Sequence, residues 1–134
     1  MKYTSIHEFA DLKGSKRRVI HAPGALNSWE VAASRLSSRK AAEIEGFLIG
    51  LFEAWIDGQR LHGGWAAPEG DLDRNTKFYA IKRIPVRAYF WYSVIHDNTI
   101  VISHYVVKKW NNLRAKDIAR VRTNWQAEKA GVRK

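Results

Sequence analysis

Five basic residues in the second half of the chain, Lys82, Arg87, His104, Lys108 and Lys109, have the types and spacing to do chemistry together. Cutting RNA without a metal needs three things. A base takes the proton from the 2′-hydroxyl, cations stabilise the charged phosphorane, and a donor protonates the leaving 5′-oxygen. Lysine, arginine and histidine supply all three. Crowding cations together lowers a lysine pKa toward neutrality, so lysine can also serve as the base. Singly these residues have plainer explanations: His104 as a packed core histidine, Lys108-Lys109 as a solvated strand end. Only their gathering on one face makes them a site.

Strand pairing would gather them. Arg87–Ile95 is aromatic and β-prone, Thr99–Val107 is β-branched, and His96-Asp97-Asn98 between them is a turn signal. With Asp97-Asn98 as a two-residue turn, Trp91 faces His104 and Arg87 faces Lys108. Arg87, Tyr89, Trp91, His104, Val106 and Lys108 then share one side. Ala88, Phe90, Tyr92, Val94, Val101, Ser103, Tyr105 and Val107 share the other, which is the better core. Cations, an imidazole and aromatic rings on the first side suit RNA, because cations hold phosphates and rings stack on bases. A slip of one residue would reverse one strand.

Around this hairpin the other elements can be placed. Residues 1–16 show no period and are expected to form a short strand or an ordered arm. Arg17–His21 is extended and is stopped by Pro23-Gly24. Ser28 is expected to cap a helix running to about Leu36. A second helix spans about Arg39–Asp57, with Ile44, Phe47, Leu48, Leu51, Phe52 and Trp55 as its apolar stripe and Gly58 ending it. Residues 58–76 are expected to be a solvated connection, their acids not spaced as a calcium loop. Phe78–Ile84 is a strand, and Pro85 makes a corner. Leu113 to about Lys129 is a basic helix with Ile118, Val121 and Trp125 on its buried side. The expected fold class is α+β in a single domain: a small twisted antiparallel sheet, an N-terminal helix pair on one face and a C-terminal helix.

Charge separates the halves. Residues 1–76 hold ten Lys/Arg and ten Asp/Glu; residues 77–134 hold thirteen and three, so the whole net charge of +10 lies there. Such asymmetry points to a polyanionic partner, most often nucleic acid. The absence of cysteine excludes disulfides, thiolate zinc sites and thiol nucleophiles. No segment has the length of a membrane span or a signal core, so a cytoplasmic protein without a membrane partner is expected. There is no phosphate-binding glycine loop, no GxSxG elbow and no HExxH helix. Carboxylates are too scarce in the basic half for a two-metal nuclease. No metal or cofactor is expected.

The runs Phe78-Tyr-Ala-Ile-Lys82-Arg83, Arg87-Ala-Tyr-Phe-Trp-Tyr92 and Ile100-Val-Ile-Ser-His104-Tyr-Val-Val-Lys108-Lys109, with the basic helix after them, resemble the RelE/HigB superfamily of bacterial toxins, in its HigB-like branch. The likeness covers about residues 77–126. It implies a RelE-like sheet whose free face is the active cleft. It also implies metal-independent cleavage of mRNA in the ribosomal A site by 2′-hydroxyl attack, which inhibits translation, and a cognate antitoxin that masks the cleft. Lys82 matches a strand lysine proposed as general base. Arg87 matches the arginine that stabilises the phosphorane. His104 and Lys108/Lys109 match the basic strand end that supplies acid or phosphate contacts. Three features depart from the family pattern: Ile84-Pro85-Val86 in place of a glycine turn, Lys109-Trp110-Asn111-Asn112, and the long segment 58–76. The resulting expectation is a catalytic set of Lys82, Arg87, His104 and Lys109. RNA contacts are expected from Arg83, Tyr89, Trp91, Lys108, Trp110, Arg114 and Lys116. Two alternatives stand beside it: a non-catalytic basic nucleic-acid-binding module, and a ParE-like gyrase inhibitor of the same fold.

Overall fold

The computed structural model describes residues 3–61, 66–108 and 114–131. A 3-10 turn, Ile6–Phe9, leads into β1 (Asp11–Lys13) and β2 (Arg18–His21). Helices α1 (Ala25–Ser34) and α2 (Ser38–Ile56) follow, then strands β3 (Ala66–Asp71), β4 (Lys77–Arg83), β5 (Val86–Tyr92) and β6 (Thr99–Val107), and finally α3 (Ala115–Gly131). The class is α+β. The strand order is β1-β2-β6-β5-β4-β3.

The sheet is mixed, not antiparallel as expected, because β2 runs parallel to β6, with Val19 beside Ile100 and His21 beside Ile102. The chain leaves β2 through both helices and four more elements before β6 meets it, so no local turn dictated the direction. Residues 3–16 are a working part of the core rather than an accessory arm. Ile6 and Phe9 are fully buried, and the backbone N–H groups of Tyr3 and Ile6 donate to Glu53 and Glu45 of α2. β1 returns along β2, and Arg18 grips Asp11 through two nitrogens at 2.6 and 2.7 Å. Gly14 sits in that turn because a Cβ there would lie 2.5 Å from Cβ of Ile56. Gly14→Ala is therefore expected to cost about 1–3 kcal/mol, read as a lowered urea midpoint.

Helix α2 forms much as its pattern dictates. Ser37 caps it, its hydroxyl accepting from the Lys40 N–H at 3.1 Å. Ile44, Leu48, Leu51, Phe52 and Trp55 face inward, and Gly58 takes φ 101° just past the end. Helix α1 starts earlier than expected. Gly24, at φ 86°, turns the chain into it, and Ser28 lies inside, not at the cap. Its buried hydroxyl donates to Ala25 O and accepts from the Tyr105 N–H. The segment 58–76 contains β3, paired antiparallel to β4, rather than only a connection. Its glycine, proline and acids hid the strand, which bulges between Pro68 and Gly70.

Two cores result. On one face α1, α2 and the N-terminal turn pack against Val86, Ala88, Phe90, Ile100, Ile102 and Tyr105. On the other, Val121 and Trp125 of α3 pack against Phe78, Tyr89, Trp91 and Val101. Among the described residues, no helix is long and apolar enough to cross a membrane.

Candidate functional site

The expected gathering on one sheet face occurs, with a different register. The turn spans Ser93–Asn98 rather than two residues, because Ser93 folds it: its hydroxyl accepts from the N–H groups of Ile95 and His96. Tyr89, not Trp91, stands opposite His104, and Arg87 stands opposite Val106, not Lys108. The register shifts by one between Tyr89 and Phe90. Ser103 is the extra residue, and the shift brings Val101 over to Trp91's side, against expectation. Across the neighbouring pair, Lys82 lies directly opposite Arg87. Lys82, Arg87, Tyr89, His104 and the end of β6 at Lys108 are therefore neighbours.

The face is not open. Helix α3 lies over it, leaving Arg87 6%, Lys108 5%, Asp117 3%, Tyr89 1%, and Trp91 and His104 0% exposed. Tyr89 and Trp91 cannot stack on bases in this arrangement, which corrects their expected role. Two of the three acids in residues 77–134 hold the helix down. Near its start, Asp117 Oδ1 accepts from His104 Nε2 at 3.2 Å, and its Oδ2 lies 3.5 Å from Lys108 Nζ. Near its end, Glu128 accepts from the Trp91 indole N–H and the Ser93 hydroxyl, both at 2.9 Å.

A chain of hydrogen bonds runs inward from Asn124. Its amide donates to Ser103 Oγ at 2.9 Å, Ser103 Oγ meets His104 Nδ1 at 2.8 Å, and His104 Nε2 meets Asp117. These partners fix the tautomer, with the His104 proton on Nε2. The connectivity is that of a Ser–His–Asp relay, but Ser103 is fully buried, so its oxygen reaches no substrate. Burial holds His104 below the ordinary imidazole range, outweighing the raising effect of Asp117. Burial also lowers Lys108, against Asp117's pull, with Arg87 and Arg114 adding repulsion. Burial would raise Asp117, but its bond to His104 and the charges of His104 and Lys108 outweigh that and keep it low. Tyr89 is pushed well up, first by burial and then by Asp117. Sequence reasoning missed Asp117, Ser103 and Asn124. The one available signal was an acid in the first turn of an otherwise basic helix.

Comparison with known proteins gave no matching family model, no similar curated protein and no similar solved structure. What this site does therefore rests on its own geometry.

The remaining expected residues scatter. Lys82 is more than one third exposed, and its ammonium lies 2.6 Å from Glu69 Oε1 at the β3 bulge. Arg83 points to the opposite side, over the Phe47 ring at 4.7 Å and 3.4 Å from Glu43. This corrects its placement beside Arg87, since successive strand residues alternate faces. Lys109 and Trp110 lie outside the described residues. Arg114 and Lys116 are exposed and, with Arg120 and with Arg35 of α1, line a cavity of about 210 Å³ between α1, the end of β6 and the start of α3. Among the described residues, no group of three or more His, Asp or Glu side chains is placed to hold a metal ion.

Proposed function

We propose that this protein binds RNA through the basic surface at the start of α3. The observation that carries this is where the reachable cations are. The whole net charge of +10 belongs to residues 77–134. Arg114, Lys116 and Arg120 stand with Arg35 around one cavity, while Arg87 and Lys108 are buried beneath the helix. Single-stranded RNA suits a groove lined by separate cations and apolar side chains better than a duplex does. The test is binding of a short labelled RNA at increasing salt. The expected result is an affinity that falls steeply, with a log–log slope of roughly −0.7 for each phosphate contact made to a single strand. A salt-independent signal, or none at low salt, would sink the reading.

A second reading is favoured by one observation: Lys82 opposite Arg87 and Tyr89 opposite His104 on the same face. This is the metal-independent endoribonuclease of RelE/HigB kind, cutting mRNA on the ribosome and masked by a cognate antitoxin. Here α3 must leave the sheet before Arg87 can meet a phosphate. Lys82 or His104 would then take the 2′-hydroxyl proton, Arg87 would face the phosphorane, and Lys108 would hold phosphate or protonate the leaving oxygen. The measurement is induced expression in bacteria with primer extension on a reporter mRNA. Discrete codon-phased cuts are expected, with Arg87→Ala lowering cleavage by about a hundredfold or more and Lys82→Ala acting without loss of fold. Intact mRNA from soluble protein would leave the binding reading alone.

A further inference from the structure

Four cations surround the cavity between α1 and α3, yet its wall also contains a carboxylate. Asp117 is 3% exposed. Its Oδ1 is taken by His104, while Oδ2 accepts no hydrogen bond among the described residues and has only the charge of Lys108 at 3.5 Å. A buried acceptor left so is costly unless a donor meets it. A free phosphate drawn in by the cations would meet this carboxylate and be repelled. The occupant that satisfies both features carries negative charge at the rim and N–H donors at the depth. The rest of the wall is Val31, Ala32, Tyr105, Val106 and Val107, an apolar surface for a flat ring. At about 210 Å³ the space is below the ~300–1,000 Å³ of sites for drug-sized ligands, so it takes one small planar group.

We propose that this cavity holds a single unpaired guanine of the bound RNA, its N1–H and N2 amino group directed at Asp117 and its flanking phosphates on Arg35, Arg114, Lys116 and Arg120. Guanine is the base whose Watson–Crick edge offers two adjacent donors. Adenine and cytosine put a ring acceptor beside the amino group, and uracil flanks its imino donor with two carbonyls, each repelled by a carboxylate. This rests on the RNA-binding reading and adds a base preference to it.

The experiment is fluorescence anisotropy at low salt with labelled UUGUU, UUAUU and UUUUU. UUGUU is expected to bind about tenfold tighter than the others, the discrimination typical of one good base contact. Arg35→Ala should weaken all three and keep the ratio. Asp117→Asn should bring the ratio to about one, because the amide no longer offers a charged acceptor. Since Asp117 also holds α3, Val31→Phe provides an independent check. Val31 is half-exposed at the cavity, and a ring there fills the space and should likewise abolish the ratio. Equal binding of the three RNAs to the native protein, or a ratio that survives Val31→Phe, overturns the guanine site and leaves RNA binding standing. No binding of any RNA overturns both.

Discussion

We expect Asp117→Ala to destabilise the protein by about 3–5 kcal/mol, because removing one partner of a buried charge pair leaves the others uncompensated. Side chains of Asp117, His104 and Lys108 are only 4%, 0% and 2% exposed, so water does little screening. For a chain of this size that loss corresponds to a melting point about 10–20 °C lower. The loss acts on a specific joint. Asp117 sits in the first turn of α3 and is its polar attachment to β6, so the helix should loosen first from that end. Asp117→Asn keeps an acceptor for His104 and should cost less. Lys108→Met in the Asp117→Ala background should recover part of the loss, since it removes an ammonium whose carboxylate is gone, and the double-mutant cycle isolates that pair. Urea denaturation of the four proteins decides the matter. A loss under about 1 kcal/mol would mean that water reaches the cluster in solution. The face beneath α3 would then be open enough to revive the nuclease reading.

The second large effect is on acid stability. His21 is buried between α2 and the sheet. Its Nδ1–H donates to Phe9 O at 2.8 Å, and its Nε2 accepts from the Tyr105 hydroxyl at 2.7 Å. Burial lowers its pKa from 6.5 to about 4. The native state therefore binds fewer protons than the unfolded chain between those values, and stability rises with pH across the window. Stability is complete above about pH 6.5 and is lost as pH falls toward 4, by about 3 kcal/mol for this group. His104, also held low by burial, adds in the same direction. Carboxylates held low, such as Asp11 against Arg18, lose their contribution only at lower pH. Unfolding free energies at about pH 7 and about pH 4.5 should differ accordingly in the native protein. His21→Gln keeps a donor for Phe9 O but cannot titrate, and should flatten the dependence. An unchanged slope in that variant would show that another group controls it.

Much of the molecule was legible because it depends on local rules. The stripe from Ile44 to Trp55 could only be one face of a helix, and Ser37 and Gly58 mark its ends. β6 matched its β-branched run, and alternation put Arg87, Tyr89, His104 and Val106 on a common side even though the register slipped. The charge asymmetry was also plain. What the sequence could not decide was long-range. The β2–β6 pairing joins residues about eighty positions apart, and either direction is compatible with the same side-chain pattern. The bulge at Ser103 and the wide Ser93–Asn98 turn are set by hydrogen bonds of single side chains, which no periodicity encodes. Above all, the cationic face was expected to be free, since its lysines, arginine and histidine read as polar surface. Tertiary structure instead closes it with α3, and it can do so because Asp117 and Glu128 supply the charge and acceptors that let His104, Lys108 and Trp91 be buried. Types and spacing determined which side chains meet. Whether they meet water depended on two carboxylates arriving from a helix that follows in the chain, and only the folded molecule brings them there.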